Sequence, residues 1–352
     1  MTMADHEVVF RLESVSKVFG GARRRFRLDR SRGVRALDDV TLDVRRGEVL
    51  GLVGESGSGK TTLGRILVGS ERPTEGVVMF EGTHVESLHG RALRGFRRSV
   101  QMVFQNPFTS LNPRRTIRDV LNSGFAARGV PRGAARAAAM AELLPKVGLN
   151  EAMLDRYPHA FSGGQRQRIV LARALTVNPS VLVADEPVSA LDVSIQAQIL
   201  NLFVTLRREF HLTAVMITHD LRVANFLSDR IAVLYRGRLV ELGTREQVME
   251  RSRHPYTRML LSAAPTGDPD APHDRPWLVG DAVADGGADA GCVFRDRCWL
   301  RQTVADPERC ATERPALVMV QTEHSAACHF ADQTPRAAES TAVAQAVVEA
   351  TR

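Results

Sequence analysis

Three groups of residues in this chain of 352 have the types and spacing to do chemistry. The first is Gly54-Glu55-Ser56-Gly57-Ser58-Gly59-Lys60-Thr61-Thr62, which meets G-x-x-x-x-G-K-[ST] at every fixed position. Glycines let the backbone bend tightly and turn its N–H groups toward an anion. Lys60 can reach a β- or γ-phosphate, and the Thr61 hydroxyl can ligate Mg²⁺. The second is Asp185-Glu186, two adjacent carboxylates after the apolar run Val181-Leu182-Val183-Ala184. Paired negative charges at the end of a buried strand call for a compensating cation, and Mg²⁺ supplies one. The third is a set of thiols, Cys292, Cys298, Cys310 and Cys328.

Each group needs elements to hold it. Residues 48–53 form a short apolar run leading into Gly54, and residues 63–68 carry apolar side chains at helical spacing. Strand, glycine loop and helix are the context in which the first motif binds phosphate. The run 181–184 reads as a strand of a parallel sheet buried on both faces. Residues 8–19 read as a first strand ending in the aromatic Phe19, 20–34 as a solvated Gly/Arg-rich loop, and 34–44 as a second strand. Residues 74–85 read as strands broken by Gly76 and Gly82, and 100–105 as an apolar strand ending in Gln105. Residues 116–150 have helix-like spacing interrupted at 129–133 and at Pro145. A helix is expected over 165–174 and another over 193–210. A buried strand is expected over 213–218, and a hairpin over 231–241.

Composition narrows the class. Apolar residues make up 44% and charged residues 25%, as in ordinary globular domains. Lysine occurs only at Lys17, Lys60 and Lys146, so a lysine in the glycine loop stands against an arginine-rich background. The net charge of +7 would permit nucleic-acid binding, but the arginines are spread out, with one tight cluster at Arg23-Arg24-Arg25. Aromatics at 5% offer few stacking platforms for bases. No apolar run approaches the roughly 18 residues of a membrane span. The first residues lack the basic and apolar regions of a signal peptide. The expectation is a chain that stays in the cytoplasm, binds no nucleic acid and meets a membrane only through other subunits.

Further motifs follow in order. Phe161-Ser162-Gly163-Gly164-Gln165 precedes Arg166-Gln167-Arg168; then come Asp185-Glu186-Pro187, Ser189-Ala190-Leu191-Asp192 and Ile217-Thr218-His219-Asp220. With these, residues 7–330 resemble the ATP-binding subunit of an ABC transporter. Asn106-Pro107-Phe108-Thr109-Ser110-Leu111-Asn112-Pro113-Arg114 and His254-Pro255-Tyr256-Thr257 resemble its oligopeptide/dipeptide branch. One departure is Phe161 where the family usually has leucine; both are bulky and apolar.

The resemblance implies an α/β fold: a P-loop NTPase cassette over 7–263, with a mostly parallel core sheet, an antiparallel β subdomain and a helical subdomain at about 106–175. A linker over 264–291, a small Cys-containing extension over 292–330 and a disordered tail over 331–352 would follow. It implies that ATP is held by Gly54, Glu55, Ser56, Gly57, Ser58, Gly59, Lys60, Thr61 and Thr62, with Phe19 stacked on adenine. Mg²⁺ would be held by Thr61, Gln105 and, through water, Asp185. Glu186 would orient the attacking water, and His219 would contact the γ-phosphate. Ser162, Gly163, Gly164, Gln165 and Asp192 would complete the site of an opposite ATPase subunit, either a copy or a relative. Two membrane permease subunits would be driven at the cytoplasmic face of the cell membrane, with a solute-binding protein as indirect partner. Cargo would be peptides, with nickel, glutathione or another small solute as alternatives. A soluble ABC ATPase acting on nucleic acid or ribosomes is the alternative of another class.

The cysteine spacing C-x5-C-x11-C-x17-C lacks the C-x-x-C knuckles of zinc sites. In a cytoplasmic chain disulfides are disfavoured. Four thiolates are also the ligand set of an iron–sulfur cluster. The stretch Gly291-Cys292-Val293-Phe294-Arg295-Asp296-Arg297-Cys298 resembles the C-terminal extension of oligopeptide/dipeptide transporter ATPases, which implies a 4Fe–4S cluster. Zinc and unmetallated thiols remain the other readings.

Overall fold

In a computed structural model the described residues are 7–20, 23–24, 27–28, 33–105, 110–263 and 290–334. Most of the expected linker, the expected tail beyond 334 and the stretch 106–109 lie outside them. The chain divides into two compact units, one of Met1–Lys17, Thr41–Val49 and Thr61–Ile217, the other of Val18–Val40, Leu50–Lys60 and Thr218–Arg352.

In the first unit three strands run parallel. Val100–Val103 pairs with Val181–Asp185, which pairs with Thr213–Thr218. Both later strands are buried along their whole length, as their unbroken apolar runs require. Helix Lys60–Leu67 begins in the glycine loop, and a Cβ on Gly64 would fall 2.6 Å from Ile217 Cδ1, so this glycine permits close helix–strand packing. An antiparallel layer is made by Val8–Phe19 and Glu75–Phe80. Gly76 does not break the second of these strands. It lies inside it at φ 82°, where the register shifts between Glu13 and Ser16, so the glycine marks a bulge. The strand expected over 100–105 ends at Val103, leaving Gln105 beyond its C-terminal end.

The helical part of this unit contains Ile117–Arg128, Ala134–Lys146 and Gly163–Leu175. Thr116 caps the first by accepting the Asp119 N–H, and Gly129 ends it in the left-handed conformation. The expected break at 129–133 is present. The expected break at Pro145 is not: the helix runs through it to Lys146. Pro145 deprives the Ala141 carbonyl of its i+4 donor, and the helix ends one residue later.

In the second unit Val49–Val53 pairs in parallel with Arg230–Tyr235, which turns back antiparallel into Arg238–Thr244. The hairpin continues outward: His324–Ala326 pairs with Arg238–Thr244, and Val318–Gln321 with His324–Ala326. The small C-terminal extension therefore adds two short strands to this sheet. Within the stretch 20–34, Arg23–Arg24 pairs antiparallel with Arg27–Leu28. The core of this unit joins Val53, Ile231, Val233 and Tyr235 to Tyr256, Phe294, Trp299, Cys292 and Cys310. Order persists past residue 330: Ala331–Gln333 forms a turn, and the Thr334 hydroxyl donates to Arg253 O at 3.1 Å.

Candidate nucleotide site and thiol pocket

The glycine loop is shaped by close backbone approach. Gly54 has φ 154° and a Cβ there would meet Leu234 O at 2.2 Å; Gly59 has φ 104° and would meet Ala36 O at 2.4 Å. No side chain is compatible with either position. The Gly237 N–H donates to Ser58 O at 2.8 Å, fixing the loop from the hairpin turn. Lys60 is 5% exposed, and its Nζ donates to Gly54 O at 2.7 Å, Glu55 O at 2.8 Å and Ser58 Oγ at 3.4 Å. The ammonium is thus held inside the curve of the loop, where a phosphate oxygen can replace those acceptors.

Glu55 is fixed twice more. Its N–H donates to the Tyr256 hydroxyl at 2.8 Å. Its carboxylate accepts from both terminal nitrogens of Arg297, at 2.9 and 3.0 Å. Burial raises the Tyr256 phenol well above its ordinary pKa, so its oxygen stays protonated and neutral. Sequence reasoning missed both partners. Tyr256 was singled out only as part of a branch motif, and Arg297 only as a residue between cysteines.

In the first unit the metal and water chemistry comes together. The Thr61 hydroxyl donates to Asp185 Oδ1 at 3.1 Å, so two of the expected Mg²⁺ ligands are already in contact. Asp185 is 5% exposed. Gln105 donates through Nε2 to Glu186 Oε2 at 2.7 Å and to Ser189 Oγ at 3.4 Å, which leaves its amide oxygen for a cation. Glu186 stands in the left-handed region at φ 46°, with its N–H donating to Ile217 O at 2.9 Å. A non-glycine residue there is strained by about 1–3 kcal/mol. A hard-cation ligand pair beside a hydrogen-bonded carboxylate is an arrangement for activating water against a phosphoryl group.

The remaining expected residues are placed as follows. Ser162 caps the Gly163–Leu175 helix: its Oγ accepts the Gln165 N–H at 3.3 Å, while the Gln165 amide oxygen accepts the Ser162 N–H at 3.1 Å. The Ser162 hydroxyl hydrogen is left to donate, and the Gln165 oxygen is occupied. Gly164 has a packing role as well, since a Cβ there would lie 2.6 Å from Ile195 Cγ2. Asp192 is exposed at the start of helix Val193–Phe210, with no side-chain capping bond. His219 is exposed directly after strand Thr213–Thr218, and Phe19 is 37% exposed at the end of its strand.

The four cysteines, scattered over the last quarter of the sequence, line one small pocket with His254, Phe294, Leu300 and Phe330. Cys292 and Cys310 are buried, and the Cys292 N–H donates to Cys310 O at 2.8 Å. Burial pushes the Cys292 thiol up to about 11 and the Cys298 thiol up to about 12, and raises Cys310 and Cys328 as well. None of these is a reactive thiolate by itself, and four neighbouring thiolates would repel unless a cation balanced them. No group of three or more His, Cys, Asp or Glu among the described residues is spaced to hold a metal ion. The all-thiol donor set and apolar walls are of the type that would suit an iron–sulfur cluster.

Comparison with known proteins agrees with this geometry. Residues 37–189 match the family model "ABC transporter", and residues 240–304 match "Oligopeptide/dipeptide transporter, C-terminal region". The chain is 48% identical over 299 residues to a putative peptide import ATP-binding protein of Brucella ovis, covering 85% of this chain and 93% of that one. It is 43% identical over 334 residues to the oligopeptide transport ATP-binding protein AppF of Bacillus subtilis, covering 94% and 99%. Among solved structures it resembles cbiO1 of Clostridium perfringens, described as part of an ABC transporter complex, with TM-score 0.58, 25% identity and coverage of 69% and 90%. It also resembles the ATP-binding cassette MJ0796, a dimer bound to ADP and Pi, with TM-score 0.57, 31% identity and coverage of 67% and 98%. The chain has the α/β ABC cassette fold, is an ATPase, and belongs to the ATP-binding subunits of the oligopeptide/dipeptide branch of the ABC transporter family.

Proposed function

We propose that this ATPase energises peptide import. The contact pair Thr61–Asp185 beside Gln105–Glu186 carries the catalytic reading, because it assembles a magnesium site and a water-orienting carboxylate from segments far apart in sequence. Residues 54–62 hold the triphosphate of ATP, with Phe19 against the adenine. Mg²⁺ is held by Thr61, the Gln105 amide oxygen and, through water, Asp185. Glu186 holds and polarises the attacking water. His219 donates to the γ-phosphate. Ser162, Gly163, Gly164, Gln165 and Asp192 serve the nucleotide of an opposing ATPase subunit, a copy or a relative. The Ser162 hydroxyl hydrogen and the helix N-terminus behind it supply the donors. Closure of that dimer drives two permease subunits at the cytoplasmic face of the membrane, fed by a solute-binding protein. The peptide cargo is supported by the names of the Brucella and Bacillus relatives, a peptide import and an oligopeptide transport ATP-binding protein. Among the described residues no helix is long and apolar enough to cross a membrane, so the permeases supply the span.

We further propose the boundaries of the cassette at 7–263, its helical subdomain at about 106–175, and the extension at 292–330. Cys292, Cys298, Cys310 and Cys328 hold a 4Fe–4S cluster, which would supply a fixed charge and a rigid cross-link to the extension. The test of the catalytic reading is Glu186→Gln. The variant is expected to bind Mg–ATP, to elute as a dimer with it, and to lose turnover by about 10²–10³-fold or more, the scale of a lost transition-state contact. Retained turnover would remove Glu186 from its role. Permeases co-purifying from membranes would support the transport reading, and co-purifying nucleic acid would replace it.

A further inference from the structure

The C-terminal extension reaches into the glycine loop. Arg297 is presented by the turn Arg295–Arg297, set between Cys292 and Cys298. Its side chain is 9% exposed, while that of Glu55 is 37% exposed. The two form a forked pair through both guanidinium Nη atoms, across 242 positions of sequence. The guanidinium also lies 5.9 Å over the Tyr235 ring, and Nη2 lies 3.6 Å from Met259 Sδ. Tyr235 packs against Tyr256 at 4.5 Å and Phe294 at 5.3 Å between ring centroids. Arg297 is thus largely buried and held between Glu55, the Tyr235 ring and Met259.

Glu55 brings a negative charge to its place. It is a carboxylate within the loop that receives a polyphosphate, and its own carbonyl already accepts from Lys60 Nζ. Its main chain is held independently by Tyr256. The side-chain pair therefore is not needed to fix the loop's path, and its consequence is electrical. We propose that Arg297 of the extension is a component of the nucleotide site, acting by cancelling the Glu55 charge so that the loop presents a net positive cradle to ATP. This rests on the reading that residues 54–62 bind Mg–ATP. An arginine fork suits the task, because it holds a carboxylate bidentately and keeps its charge at all relevant pH.

The test is a charge cycle on the full chain, reading Kd for Mg–ATP by fluorescence of a nucleotide analogue, KM and kcat for hydrolysis, and the iron content of each variant. Arg297→Gln is expected to raise Kd and KM about tenfold, with kcat at saturating Mg–ATP falling less than about threefold; one unscreened charge at this range has that scale. Glu55→Gln, which leaves the guanidinium uncompensated, is expected to tighten binding by about threefold. The double variant is expected to return to within about threefold of the parent protein, a non-additivity that simple loss of packing would not give. Arg297→Lys is expected to fall between parent and Gln. The proposal is overturned if Arg297→Gln binds like the parent, if the double variant is as weak as Arg297→Gln, or if Glu55→Gln weakens binding. That last measurement stands even if Arg297→Gln does not fold. A parent protein that fails to bind Mg–ATP would instead overturn the nucleotide reading itself.

Discussion

The glycine cradle and the thiol pocket belong to the same compact unit but are built on opposite principles. The cradle is made of consecutive residues, is lined by main chain and one ammonium, and is shaped by carbonyls that press where a Cβ would stand. The pocket gathers side chains from four distant points, is walled by aromatic and aliphatic groups, and owes its chemistry to burial that keeps its thiols protonated. A site for a charged, exchanging ligand is made from dipoles fixed by the backbone. A pocket of protonated thiols is made from the core. The turn Arg295–Arg297 joins them, since its neighbours line the pocket while Arg297 grips the cradle.

That contrast can be broken by variants that strike one region and spare the other. The largest effect is expected from His219→Ala: hydrolysis should fall by about a hundredfold or more, the scale of about 2.7–4 kcal/mol for a lost transition-state donor, with ATP still bound. Single-turnover assays with a binding titration check it, and loss of binding instead would make His219 a ligand-holding residue. Iron content should be untouched. Cys298→Ser, purified without oxygen and reconstituted with iron and sulfide, should lose cluster absorbance and most bound iron. The Kd for Mg–ATP should rise by only a few-fold, through a looser Arg297. A parent protein that takes up neither iron nor sulfide sinks the cluster.

The smallest effect concerns pH. Burial holds His254 down to about 3, with its Nδ1 accepting the Tyr256 N–H at 3.1 Å. The unfolded chain takes up that proton near the ordinary histidine value of about 6.5, while the folded protein takes it up only near 3. Stability is therefore full above about 6.5 and falls as pH drops toward 3, by about 1.4 kcal/mol per pH unit at most. Thermal melts between pH 7 and 5 should show a slope that His254→Asn reduces. An unchanged slope would mean another group titrates.

How much of this was legible follows from how each part is encoded. The cradle could be read directly, because glycine, lysine and threonine must occupy fixed neighbouring positions. Gln105 and His219 are ordinary strand-end residues taken singly, and only their order between stronger motifs picked them out. Pro145 misled by one residue, because the helix carries the proline in its last turn before ending at Lys146. Gly76 misled because a bulge and a break look alike in sequence. The Arg297–Glu55 pair was illegible, as nothing local marks one arginine among many as the partner of a carboxylate in the loop. The gathering of the four cysteines was equally hidden, since irregular spacing says nothing of a common wall.

The strand His324–Ala326 has one more consequence. It covers the outer rim of Arg238–Thr244, pairing Glu241 with Ala326 and Leu242 with Ser325, and its His324 Nε2 sits 2.7 Å from the wholly buried Glu241 carboxylate. A version clipped before residue 290 would bare a row of amides and carbonyls ready to zip onto any passing neighbour, and would take the His324 partner from Glu241. Such a truncation should precipitate rather than yield a trimmed working enzyme, so the tail end of this polypeptide doubles as its guard against self-adhesion.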